Sequence, residues 1–259
     1  DKRVRAGHPW AFANEIELDA AAKALPPGGL VTLRDASGQA LGVASFNLHS
    51  LIAARLFAAD PATALDQDFF LARLGAAKAL RDKLFPEPFY RLVHAEADRL
   101  PGIVIDRYGE VLVVQINTAG AEQLLPELLG ALQQLLSPAG IVLRNDAPVR
   151  ALEGLENYVR IAAGTVTPPI EIRESGVRYL ADPLGGQKTG WFFDLRQPRA
   201  MLAPLARGGR VLDAYCHTGA FALQAAVAGA AAVTALDRSA PALELARAAA
   251  ELNQVADRC

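Results

Sequence analysis

Short, largely apolar runs separated by turn-forming residues mark the first 60 positions. These runs predict strands at 30–34, 40–46 and 51–57, with Ala36-Ser37-Gly38 as a turn, and a small β-barrel or sandwich accommodates them. Ahead of them, Gly7 and Pro9 break the chain beside His8 and Trp10, so this segment reads as a loop. The pattern then changes. Phe70, Leu74, Ala77 and Leu84 recur at helical spacing within 65–85, and Pro86 and Pro88 end the helix.

A second α/β unit follows: strands at 91–97, 102–106 and 110–117, the last two joined by a turn at 107–109, then a helix over 121–136 and a strand at 140–143. Residues 170–180 flank Ser175-Gly176 as a hairpin, with a domain boundary expected near 180–195.

The last third has the most informative pattern. A short apolar run at 210–215 containing Asp213 predicts a buried strand, and 216–219 a tight loop. Phe221, Ala225 and Ala228 then mark a helix that Gly229 caps. A second strand over 231–236 ends in Asp237, and Ser239 caps a helix carrying Leu245, Ala249 and Leu252. Strand, loop, helix, strand, acid and helix open a parallel α/β sheet, whose ligands sit at the carboxyl ends of the strands. A carboxylate ending the second strand suits two ribose hydroxyls, and Thr218 and Gly219 allow close backbone approach. The loop has neither G-x-G-x-x-G nor G-x-x-x-x-G-K-[ST]. A nucleoside without pyrophosphate, S-adenosyl-L-methionine, therefore fits better than NAD or ATP. The competing reading makes Asp213 and Asp237 ordinary strand-end polar residues.

Composition narrows the class. With 52% hydrophobic and 21% charged residues the chain is globular, and its net charge of -2 leaves nucleic-acid contacts to local basic faces. Two cysteines make no disulfide framework and no metal-ligand spacing, which favours a reducing cytoplasm. The uncharged stretch 219–236 just reaches the length of a membrane span, but Gly229 divides it and Ala and Gly dominate it, so no membrane partner is expected. The first residue is Asp and the one methionine is Met201, so the sequence is expected to begin inside an open reading frame.

Four ordered stretches, RVRAGHPWAFANEI at 3–16, RLVHAEADRLPGIVIDRYG at 91–109, GGQKTGWFFDLR at 185–196 and VLDAYCHTGAFAL at 211–223, resemble the class I S-adenosylmethionine-dependent ribosomal RNA methyltransferases with an N-terminal PUA domain, the large-subunit cytosine-5 enzymes among them. The resemblance implies an α/β protein with a PUA-like RNA-binding barrel at 1–64, a middle α/β domain at 65–182, and the first half of a Rossmann-like methyltransferase domain at 183–259. It implies that Gln187 and Thr189 close the cofactor site, that the 215–219 loop (Tyr215, His217, Thr218, Gly219) surrounds the methionine part, and that Asp237 holds the ribose. Asp213, Arg238 and Ser239 complete the candidate cofactor-binding set.

Arg5, His8 and Trp10 are candidate contacts to ribosomal RNA, although Trp10 reads equally well as a buried anchor. Lys188, Arg196, Arg199, Arg207 and Arg210, against Asp194 alone, read as a phosphate-contacting rim or as a solvated face. Cytosine C5 methylation needs an attacking thiolate. Cys216 lies in the cofactor loop and is rejected for that role, and His94 and His217 lack a visible partner, so no catalytic residue is assigned. The chain is accordingly expected to be truncated at both ends and to transfer no methyl group by itself. A methyltransferase for another RNA base such as guanine, or a non-catalytic RNA-binding protein with a degenerate methyltransferase half, stays open, as does a homodimer.

Overall fold

A computed structural model describes residues 2–259, which form two compact units. The first runs to Pro86 and resumes over Arg91–Thr165; the second comprises Glu87–Tyr90 and Val166–Cys259.

The first unit opens with α1 (Lys2–Arg5), β1 (Trp10–Ala11) and α2 (Ala20–Lys23), whose cap Asp19 accepts from Ala22 N at 2.7 Å. The predicted strands are β2 (Gly29–Arg34), β3 (Ala40–Phe46) and β4 (Ala54–Ala58), in an antiparallel sheet of order β1-β4-β3-β2. Gly42, at φ +144°, allows β3 to pass β4: a Cβ there would lie 2.1 Å from the Ala58 carbonyl oxygen. Ala44, Phe46 and Ala54 form the core beneath this sheet.

Helix α3 (Gln67–Leu84) is capped by Asp66, which accepts from Phe69 N at 3.0 Å. It buries Phe70, Leu74 and Ala77 as its spacing predicts, but Leu84 is 62% exposed because the helix ends there and Phe85 turns extended. The second sheet has order β5-β6-β7-β8-β9: β5 (Phe89–His94), β6 (Ile103–Tyr108), β7 (Val111–Ile116), β8 (Gly140–Asn145) and β9 (Tyr158–Gly164), with only β7 and β8 parallel. The strand expected over 91–97 stops at His94, since Asp98 accepts from His94 N at 2.6 Å and grips Arg81 through both oxygens. The helix expected over 121–136 is two, α4 (Ala119–Gln123) and α5 (Leu125–Leu136), and Pro126, which lacks an N–H, opens the second. Buried Glu153 joins the two sheets, accepting from Asn47 Nδ2 at 2.9 Å, Ser50 Oγ at 2.8 Å and Ala119 N at 3.3 Å.

In the second unit β10 (Ile170–Glu174) and β11 (Val177–Ala181) make the expected hairpin. After it come α6 (Arg196–Leu202), β12 (Arg210–Ala214), α7 (Ala220–Val227), β13 (Ala232–Leu236) and α8 (Ala240–Leu252). Strands β12 and β13 are parallel, with Asp213 opposite Ala235. One expectation fails: β12 is not buried. Leu212 is 64% exposed, because among the described residues β12 pairs with β13 alone and that face of the pair is bare. The 219–236 stretch divides at Gly229 into α7 and β13, and no helix among the described residues is long and apolar enough to cross a membrane.

Helix α3 depends on Leu74, which is fully buried. Leu74→Ala is expected to destabilise the first unit by about 2–5 kcal/mol in urea unfolding, and Leu84→Ala to leave it within about 0.5 kcal/mol. Equal effects at the two positions would overturn this packing.

Candidate functional site

A cleft of about 760 Å³ opens in the second unit at the carboxyl ends of β12 and β13. Of the residues predicted to hold a cofactor, Gln187, Tyr215, His217, Thr218, Asp237, Arg238 and Ser239 line it. Asp213, Thr189 and Gly219 do not. Thr189 is buried, with its hydroxyl donating to Trp191 O at 3.3 Å. Gly219 is the N-cap of α7 at φ +75°.

Asp237 organises this edge. Its Oδ2 accepts from His217 N at 2.8 Å and its Oδ1 from Ser239 N at 2.9 Å. These N–H groups hold its pKa below the usual carboxylate range, so it is ionised at neutral pH. The Arg238 N–H lowers that pKa further, and the carboxylate lines the cleft as a charged acceptor, which suits neighbouring hydroxyls. Asp213 does something different. Its Oδ2 accepts from Ala222 N at 3.0 Å in the first turn of α7, while burial pushes its pKa up and the charge of Asp237 adds to that. It braces the helix start beneath the cleft.

Between the two acids the loop is tightly folded. Tyr215 and His217 stand at φ +64° and +52°, conformations that cost a non-glycine residue roughly 1–2 kcal/mol. Bonds from Cys216 N to Leu236 O (2.9 Å) and from Gly219 N to Cys216 O (2.8 Å) hold them there. Tyr215 is left 91% exposed. The edge of the His217 ring meets Phe192 at 5.4 Å, and Lys188 lies over the same phenyl ring at 4.8 Å. Burial lowers the His217 pKa against the opposing pull of Asp237, so the imidazole is neutral at pH 7.

The cleft's other wall comes from the 182–199 segment, in which the sequence offers only Gln187 and Thr189 as cofactor contacts. Asp182, Trp191, Phe192 and Arg199 also line it. A signal for this wall was present in Gly186 and Gly190. A Cβ at either would come within 2.4 Å or 2.7 Å of the Asp182 carbonyl oxygen, so the loop folds back onto that carbonyl. Of the basic rim, Lys188, Arg207 and Arg210 are exposed, but two members are corrected here. Arg199 is 1% exposed and Arg196 is half-buried, because both guanidiniums bond Glu174, Arg199 Nε to Oε1 at 2.8 Å and Arg196 Nε to Oε2 at 2.9 Å.

The candidate RNA contacts lie in the first unit and are engaged with protein. Trp10 Nε1 donates to Glu96 Oε1 at 3.0 Å, and Arg55, itself paired with Glu96, lies over the indole. His8 Nδ1 accepts from Trp10 N at 3.2 Å, and Arg5 pairs with Asp35. Among the described residues no cluster of His, Cys, Asp and Glu has the makings of a metal site.

Residues 1–59 match the family of PUA-like domains, and residues 157–257 match the S-adenosylmethionine-dependent methyltransferases. Over 257 residues the chain is 37% identical to the ribosomal RNA large subunit methyltransferase I of Photobacterium profundum, and over 258 residues 38% identical to that of Erwinia tasmaniensis. Each alignment takes in 98% of this chain and 64% of the relative, so the chain spans somewhat less than two thirds of the length of these relatives. Among solved structures, a candidate S-adenosylmethionine-dependent methyltransferase from Streptococcus mutans superposes with a TM-score of 0.82 at 23% identity, over 98% of this chain and 65% of that one. A methyltransferase structure complexed with SAH gives the same score and identity. At this identity both show a shared fold.

Cys216 is buried, and burial together with Asp213 and Asp237 pushes its thiol pKa up to about 11. At pH 8 it is a thiol rather than a thiolate. Alkylation of the native protein with iodoacetamide is expected to label exposed Cys259 and spare Cys216. Mass spectrometry showing Cys216 modified at a comparable rate would reverse that assignment.

Proposed function

Because this chain joins a PUA-like domain to an S-adenosylmethionine-dependent methyltransferase domain, we propose that it acts in the methylation of a ribosomal RNA base, cytosine C5 of the large subunit, with S-adenosyl-L-methionine as donor, in the cytoplasm. The observation that carries this reading is Asp237, an ionised carboxylate at the end of β13 that lines the cleft as a charged acceptor. Bound there, the cofactor would supply an electrophilic methyl group on a sulfonium.

The residues have separable tasks. Asp237 accepts the two ribose hydroxyls. Ser239 and Arg238 border the same edge, and Gln187 borders the cleft from the glycine-rich loop, which Thr189 stiffens through its bond to Trp191. The 215–219 loop faces the methionine part, with neutral His217 adding no cation beside the sulfonium. Cytosine as the target base rests on the resemblance of the four sequence stretches. The high thiol pKa of Cys216 keeps that residue out of the attacking role. We take the domains as 1–64 for RNA binding, 65–182 for the middle α/β part and 183–259 for the cofactor.

Two measurements test the reading. Asp237→Ala is expected to weaken S-adenosylmethionine binding at least about tenfold by calorimetry, since hydrogen bonds to a charged acceptor contribute about 1.5–3 kcal/mol each. Unchanged affinity in a folded variant removes Asp237 from the site. The chain is also expected to bind a structured large-subunit ribosomal RNA fragment with an affinity that falls steeply as salt rises, and binding that ignores salt would argue against phosphate contacts.

A further inference from the structure

Two arginines of the first unit are close neighbours without a counter-ion. Arg73 lies on α3 and Arg99 in the turn after β5, and among the described residues neither has a carboxylate partner or a side-chain hydrogen bond. They are near enough for the charge of Arg99, after burial, to lower the Arg73 pKa. A guanidinium stays cationic at neutral pH all the same, so the two repel.

The fold holds this repulsion in place from both sides. Half-buried Arg73 lies over the Phe69 ring at 5.3 Å, and that ring meets Phe57 and Phe70 edge-on. Arg99 stands at φ +57° in a turn closed by bonds from its own N to Glu96 O at 3.0 Å and from Leu100 N to Ala95 O at 3.1 Å. Leu100 anchors the turn in the core, and both Asp98 oxygens clamp it to α3 through Arg81. Glu96 ties its other side to β4 and to the loop before β1, accepting from Arg55 at 3.2 Å and from Trp10 Nε1 at 3.0 Å. The two carboxylates of the turn are thus committed elsewhere, and neither neutralises Arg99.

We propose that Arg73 and Arg99 contact the phosphate backbone of the RNA. Guanidinium forks match phosphate oxygens, and a polyanion offers a phosphate to each of two cations held apart on rigid elements. The inference rests on the ribosomal RNA reading and adds a contact surface outside residues 1–59, the part that matches PUA-like domains. Glu96 makes the surface continuous with the Trp10 loop, and neither arginine lines the cofactor cleft.

The test is the salt dependence of binding between the whole chain and a structured large-subunit ribosomal RNA fragment. Arg73→Gln and Arg99→Gln are each expected to weaken binding several-fold at about 0.1 M salt and to reduce the slope of log affinity against log salt by about one, and the double variant to reduce it further. Arg99→Lys, which keeps a point charge, should retain the slope of the unaltered chain. The melting temperature of Arg99→Gln at low salt should stay level or rise, because a repulsion has been removed and no bond lost. Unchanged slopes in both Gln variants, when the unaltered chain binds with a steep salt dependence, overturn this contact and leave the ribosomal RNA reading standing. An unaltered chain that ignores salt, or does not bind the fragment, overturns that reading and the contact with it.

Discussion

The second unit depends on one carboxylate accepting from two backbone N–H groups of different loops. Asp237 ends β13, His217 belongs to the loop after β12, and Ser239 starts α8. Joining them locks the first loop to the second strand at the edge where a parallel sheet presents its ligand site. Without the carboxylate, nothing else described bonds the His217 N–H, and the two positive-φ residues of that loop would lose one of the bonds that hold them. The strain at Tyr215 and His217 is affordable because Asp237, Leu236 O and Cys216 O each satisfy or supply a partner.

The same carboxylate sets the electrostatics around it. Its charge helps push up the pKa of Asp213 and of the Cys216 thiol, both of which are partly removed from water. A loop with two acids at its base is hostile to a thiolate and tolerant of a cation. A methyl donor carrying a positive sulfonium suits that field, and a nucleophilic cysteine in the same loop does not.

Much of this was legible in the sequence, and the failures have physical causes. The alternation of β2, the helical period of Phe70, Leu74 and Ala77, and the strand-loop-helix order from 210 onward are local patterns, and these elements form where expected, although β3 is buried on both faces and β12 on neither. Strand β9 went unseen because Tyr158, Val159, Arg160 and Ile161 are partly or largely exposed, so no period survives in their hydrophobicity. Arg199 was misjudged for the opposite reason. A charged residue in a basic run looks solvated, and only the chain folding back to Glu174, 25 positions earlier, makes its burial affordable. Asp213 and Asp237 looked equivalent as strand-end acids; the difference between bracing a helix and facing a cleft is made by Ala222 N, which spacing does not reveal.

The energetics of the first unit bear on how RNA would be met there. Trp10 donates to a carboxylate that also pairs with Arg55, and Arg55 covers the indole. Stacking an RNA base on that ring requires displacing Arg55 and straining a charge-assisted bond that contributes about 1.5–3 kcal/mol. A stacked base returns about 1–3 kcal/mol, so the exchange yields little or nothing. Arg5 is in the same position, since its pairing with Asp35 must be given up or shared before a phosphate can use it. Recognition through this loop therefore favours phosphates approaching guanidiniums already fixed by protein carboxylates, where only the outer N–H groups are needed and no internal bond is broken.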